Sequence, residues 1–334
     1  MVLWAAGCAV GLLVDDRTLL GAPIWAKPFK FAASFTAYAL SLAWMLSLLE
    51  RARPRLARPA RWAGTVVVAA SGVEMVLITG QAFRGRRSHF NVATPFDAGV
   101  YQVMAGTVVV LWVATLVIAV LLFRAPIADR ATTWAIRIST VLALAGAGIG
   151  FLMTRPTDAQ LAADEDGAPI VGGHSVGVPD GGPGMPLTGW STTGGDLRVP
   201  HFAGMHALQL LPLFVLVLAA LGTRFAGLRE ERVRLRLVLV AGAVYAALLA
   251  LLTWQALRGQ ALTSPDGRTL AAAAPILAAG AAGALLCLLR ARGAAAPGGA
   301  GVSGPGSAPG DPARNSARLQ GLSSSSRLPH GDRP

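Results

Sequence analysis

The segment Pro200-His201-Phe202-Ala203-Gly204-Met205-His206-Ala207-Leu208-Gln209 carries two histidines and a glutamine into an apolar run that continues to Gly222. That run is long enough to cross a bilayer, and polar or ionisable groups are costly in hydrocarbon, so these residues are site candidates. His206 and Gln209, three apart, face the same way on a helix. His201 and His206, five apart, do not share a face and make a poor joint pair for one metal, unlike histidines at four-residue spacing. Three roles are open to His206. It can bond a neighbouring helix, ligate a metal or haem with help from Glu74, His89 or another helix, or serve as a proton relay or substrate contact, for which a pKa near neutrality suits it. His201 belongs at the interface, with Pro200 in the first turn, where a missing N–H costs nothing.

Glu74 is the one acidic residue in the interior of the apolar runs bounded below, Glu50 standing at the very end of its run. Ser71, Glu74, Ile78 and Gln81 recur at helical spacing, so they share a face that should look into a bundle. Such a carboxyl can tie helices together, or it can be protonated or act as a ligand. Lys27 and Lys30 are the only two lysines among 29 basic residues. They flank Pro28, and Lys30, Ser34, Tyr38 and Ser41 continue as a polar stripe. Their ammonium groups suit an anion or a carboxylate, or simple snorkelling to the interface. Arg84, Arg86 and Arg87 precede His89 in Gln81-Ala82-Phe83-Arg84-Gly85-Arg86-Arg87-Ser88-His89. They suit a lipid phosphate, a haem propionate or the acidic stretch Asp164-Glu165-Asp166, unless they are merely solvated. A metal, if one is held, has His206, His89 and Glu74 as its candidate ligands.

The elements that position these residues are apolar helices. Of 334 residues, 54% are hydrophobic and only 14% charged, with a mean hydropathy of +0.55. A soluble domain carries about 25% charged residues. Seven runs have spanning length, at 28–50, 62–83, 98–123, 132–153, 201–222, 233–257 and 269–290. An eighth, 1–14, is apolar but short and reads as a span that begins upstream of Met1. Backbone groups in lipid must bond internally, so the runs are expected to be helices. The net charge of +12 lies in arginine clusters between the runs rather than on one aromatic-interleaved face, which excludes nucleic-acid binding. Two cysteines, Cys8 and Cys287, give neither a disulfide framework nor zinc spacing. No P-loop, GxSxG, HExxH or CxxCH motif is present.

Loop charges set the expected orientation. Fourteen basic residues fall on the side of segments 51–61, 124–130, 224–236 and 290–292, against nine on the other. The positive-inside rule then places both termini in the cytoplasm. The glycine- and proline-rich segment 154–200 becomes an external cap, anchored by Trp190, Ile170, Val171 and Leu187. Residues 293–334, poor in large apolar side chains, read as a disordered cytoplasmic tail. His89, His174, His201 and His206, with Gln81, Gln102, Gln209 and Gln255, all gather toward the external side.

The strings GAPIWAKPFKFAASF (21–35), RGRRSHFNVATPFD (84–97) and GGDLRVPHFAGMHALQLLP (194–212) resemble those of an uncharacterised family of bacterial, mainly actinobacterial, multi-pass integral membrane proteins. The resemblance covers the second to sixth spans and implies no activity. It also implies a longer first span. Haem A synthases and b-type cytochromes are matched only in helix count and histidine position; their paired-histidine patterns are missing.

The expected architecture is an all-α transmembrane bundle of about eight spans. Its outer-leaflet site, lined by Glu74, Gln81, His89, His201, His206 and Gln209, would bind a cofactor such as haem, a metal or a small ligand. The alternatives are a small-solute or proton-coupled transporter using Glu74, and a non-catalytic membrane component.

Overall fold

A computed structural model describes residues 1–163 and 168–295. The acidic stretch Asp164-Glu165-Asp166 and the tail beyond residue 295 lie outside the described residues, so the expected roles of both do too. The chain is a polytopic helical bundle. Seven helices are long and apolar enough to cross a membrane, and a shorter apolar helix precedes them. We number the helices α1 Val2–Val14, α2 Ala26–Ala52, α3 Pro54–Phe83, α4 Pro95–Phe123, α5 Arg130–Ile149, α6 Asp158–Ala162, α7 Arg198–Leu221, α8 Ala226–Arg229, α9 Glu231–Leu257 and α10 Gly267–Ala295.

Local chemistry sets the helix ends. Pro54 and Pro95 stand in the first turns of α3 and α4, where their fixed φ is pre-organised for a helix. Thr94 caps α4 by accepting from Asp97 N (3.1 Å), and Asp129 caps α5 by accepting from Ala131 N (3.1 Å) and Thr132 N (3.2 Å). Because α4 starts at Pro95 rather than at 98, Asp97 lies in its first turn, and it is buried. Glu74 is therefore not the only acid within the apolar helices, as the sequence pattern suggested. The capping pattern Thr94-x-x-Asp97 extends the helix by one turn beyond its apolar run.

Helix α1 has 13 residues, fewer than the typical spanning length. It docks through Trp4 Nε1, which donates to Thr79 Oγ1 of α3 (2.9 Å), and through Gly11, which lies so close beneath the Trp25 ring that no Cβ would fit. A hairpin of β1 Thr18–Leu19 and β2 Ala22–Pro23 then leads into α2.

The closest helix packing is between α5 and α7. A Cβ built on Gly146 would lie 2.5 Å from Gly204 Cα, so the two backbones touch with nothing between them. Small residues allow this approach, which dispersion rewards in a membrane where no hydrophobic drive joins helices. Helix α7 touches α2 far more sparsely.

At one end of the bundle, residues 168–197 form a cap. Strand β3 Ser175–Val176 pairs antiparallel with β4 Gly195–Asp196. Val171 N donates to Phe90 O (2.8 Å), and Leu197 N to His174 O (2.9 Å). Gly195 rests on the carbonyl of Ala256, near the end of α9, at a distance that excludes any side chain. The arginines of the 51–61 and 224–236 segments lie at the opposite end.

Candidate functional site

At the capped end the polar residues separate into two groups. One is a closed knot between α3 and α4. Gln81 Nε2 donates to Asp97 Oδ1 (2.9 Å), and Arg84 pairs with the same oxygen (2.7 Å) while lying over the Phe96 ring (4.5 Å to its centroid). Thr94 Oγ1 donates to the other carboxylate oxygen (2.9 Å). Gln81 and Arg84 are thus committed to Asp97 and to each other.

The second group lies along the facing sides of α2 and α7, which touch only sparsely. On α2, Lys27, Lys30, Ser34, Tyr38 and Ser41 follow one another at helical spacing, and all five are half-buried. On α7, Phe202, His206 and Gln209 form the facing stripe and are also partly exposed. Gln209 Nε2 donates to Ser41 Oγ (3.2 Å), closing the deep end, and Gln209 Oε1 lies 3.1 Å from His206 Nδ1. Phe202 stacks on His206 at 6.2 Å between centroids. Tyr38 bonds Thr115 of α4. At the shallow end, Lys30 Nζ donates to the carbonyl of Thr188 in the cap (3.0 Å). Lys27 Nζ lies 3.0 Å from His89 Nδ1, and Ser88 Oγ lies 3.1 Å from the same nitrogen. An ammonium only donates, so Nδ1 accepts and the His89 ring proton belongs on Nε2.

His89 lies in the α3–α4 loop. Burial holds its imidazole well below the ordinary histidine range, and positive charge on Lys27, His201 and His174 pushes the same way. Above it, the cap is pinned by Asp180. That carboxylate pairs with Arg87 (2.8 Å) and His174 (3.0 Å) and accepts from Ser175 N (3.0 Å). Burial alone would raise Asp180, but the His174 bond and charge, with the backbone bond, outweigh it and hold the carboxyl below the usual carboxylate range.

Two further candidates turn to other helices. His201 places Nδ1 2.8 Å from the carbonyl of Gly146, so its ring is held on the α5 side of α7, away from the face that carries His206. Glu74 is 1% exposed, as are or nearly so Ser71, Ile78 and Gln81 on the same buried face. Its Oε1 accepts from Thr107 Oγ1 of α4, while Oε2 is buried with no partner. Lys27 thus meets His89, Lys30 the cap, His206 Gln209, His201 α5 and Glu74 Thr107 of α4, while Gln81 and Arg84 belong to the Asp97 knot.

Among the described residues no three His, Cys, Asp or Glu side chains converge to hold a metal ion. His201 and His206 turn to different sides of α7, which fits poorly with one metal shared between them.

Comparison with known proteins finds no matching family model, no matching curated protein and no matching solved structure. A functional reading therefore stands on this geometry.

Three participants escaped the sequence pattern. Asp97 had a signal in its capping spacing. Asp180 sits in Val178-Pro179-Asp180-Gly181-Gly182, which announces a turn but not the Arg87 and His174 that it joins. Thr107 carries no sequence signal, because its partner is set only by how α3 lies on α4.

Proposed function

We propose that the recess between α2 and α7 is a water-filled site for a small anion, a carboxylate or a phosphate ester, and that the capped end through which it enters faces outward. Lys27 carries the reading. Its ammonium meets an imidazole, and no carboxylate of the described residues lies at ion-pair distance from it or from Lys30. The nearby carboxylates Asp180 and Asp196 are already paired, with Arg87 and Arg198. A cation left without a counter-ion inside a bundle is costly unless a ligand or water offsets it. The half-buried stripe below supplies donors and acceptors for the rest of a ligand, and Phe202 supplies an apolar wall. The arginine bias of the other end supports the outward orientation of the cap.

Titration calorimetry of the detergent-purified protein against succinate and inorganic phosphate tests this. Saturable binding to at least one is expected. Lys27→Met should weaken it about ten- to hundredfold, the worth of a charge-assisted hydrogen bond. No saturable binding, or binding unchanged by Lys27→Met in a folded protein, contradicts the reading.

One observation favours a second reading, proton-coupled transport. Glu74 Oε2 has no partner, and Lys27 is within electrostatic reach. A carboxylate so placed exchanges a proton as the charge beside it changes. Glu74→Gln should then abolish pH-dependent flux of the bound anion into liposomes without abolishing its binding. Unchanged flux excludes Glu74 as the carrier.

A further inference from the structure

A second cation with no counter-ion among the described residues lies at the opposite end of the bundle, on its lipid-facing side. Arg137 is on α5, about 10 Å along the helix from Arg130 at a rise of 1.5 Å per residue. Its side chain reaches back toward the end of α4. Nη2 donates to the carbonyls of Phe123 (2.9 Å) and Ala125 (3.4 Å). The guanidinium lies 5.5 Å from the ring centroids of both Phe123 and Trp134. Nε is buried without a partner. Nη1 makes no hydrogen bond and is not among the buried atoms, so it is open to the outside.

The carboxylates nearest in the fold are committed elsewhere. Asp129 caps α5 and accepts from Thr132 Oγ1 (2.6 Å), while Glu231 accepts from Arg130 N (2.6 Å). Beside Arg137 runs an open apolar groove of about 320 Å³, lined by Phe123, Trp134, Ile138, Val141, Leu142 and Ala246. Among these, Phe123, Trp134 and Val141 are exposed on the surface that faces lipid.

We propose that this groove holds an acyl chain of an anionic phospholipid whose phosphate sits at Nη1 of Arg137. The charges are complementary: a guanidinium with a free edge, no counter-ion among the described residues, and the arginine-rich segments of the same end around it. A guanidinium matches a phosphate in geometry as well as charge. An aromatic pair at the headgroup level is the ordinary furniture of a membrane interface, and basic sites between transmembrane helices select anionic headgroups. The groove volume lies at the lower end of the range of small-molecule sites, about 300–1,000 Å³, enough for part of one chain.

Thermal unfolding of the full-length protein in detergent tests the assignment, with added phosphatidylglycerol, phosphatidylcholine or inorganic phosphate. Phosphatidylglycerol should raise Tm by about 3 °C or more above either of the others. Arg137→Gln should abolish that difference by removing the charge. Ala246→Trp should abolish it by filling the groove from an exposed position while Arg137 stays in place. An equal effect of phosphatidylcholine overturns the role of charge, and an equal effect of inorganic phosphate overturns the role of the groove. Should Arg137→Gln fail to fold, Ala246→Trp decides alone: a full phosphatidylglycerol shift in that variant overturns the proposal.

Discussion

On one side of α7, Gly204 rests against Gly146 of α5 with no room for a methyl group. On the other, the half-buried Phe202, His206 and Gln209 face a sparsely packed α2, the space that we propose as a recess. The two faces belong to one helix, so its composition does not explain the difference. The first face is held by backbone contact over small residues, the second by a few hydrogen bonds that water can replace. A membrane helix can therefore be rigidly docked on one side while leaving a site on the other. Lys27 and His89 extend the open side upward, and the Asp180 knot holds the cap above it.

Substitutions on the two faces should separate accordingly. Gly204→Val forces a branched side chain into the α5 backbone. It should cost about 3 kcal/mol or more, the upper range for overpacking, and show as a large loss of folded, monodisperse protein. A Tm close to that of the unsubstituted protein would break the comparison.

The next effect is one of pH, on the open side. Burial holds His89 low, so between its folded pKa and the unfolded value of about 6.5 the unfolded chain binds a proton that the folded chain refuses. Its contribution is fully present above that unfolded value and is lost as pH falls toward the folded pKa. The slope is at most about 1.4 kcal/mol per pH unit. Denaturant melts at pH 6.5 and pH 5 should therefore differ by roughly 1–2 kcal/mol, and His89→Gln should flatten that difference. Asp180 is held low and loses its contribution only at pH values below the usual carboxylate range, in a separate window. A slope unchanged in His89→Gln removes His89 from the recess account.

Gln209→Leu breaks the bonds to Ser41 and His206, but in the water-filled recess that we propose it should cost about 1 kcal/mol or less. A cost equal to that of Gly204→Val would mean that the recess is as closed as the other face. The smallest effect belongs to Glu50→Gln, which removes an ion pair with Arg61 that is exposed on both sides. Melting should change by less than about 0.5 kcal/mol.

Much of each face was legible locally. Helical spacing alone aligns Lys30, Ser34, Tyr38 and Ser41, places Glu74 and Gln81 on a buried side, and pairs His206 with Gln209. The separation of His201 from His206 follows from the same geometry. What spacing does not carry is which faces meet. Lys27 and His89 are 62 residues apart, and Gly146 and Gly204 are glycines within apolar runs until the packing brings them together. Arg84 read as free for an anion because its partner Asp97 fell just outside the apolar run. In each case the missing term is an interhelical contact, set by the sum of many weak packing interactions.

The central claim is that the α2–α7 recess holds water where the α5 side does not. Thiol labelling at two single positions tests it most directly, because a thiol reacts with a charged reagent only where water reaches it. Ser34→Cys lies in the middle of the recess stripe, and Ser139→Cys lies on α5 where the native serine is 0% exposed. The native Cys8 and Cys287 are buried and set the background. With a membrane-impermeant charged methanethiosulfonate added outside intact cells, Ser34→Cys should label rapidly and Ser139→Cys should stay at background. Equal, slow labelling at both positions would contradict the account.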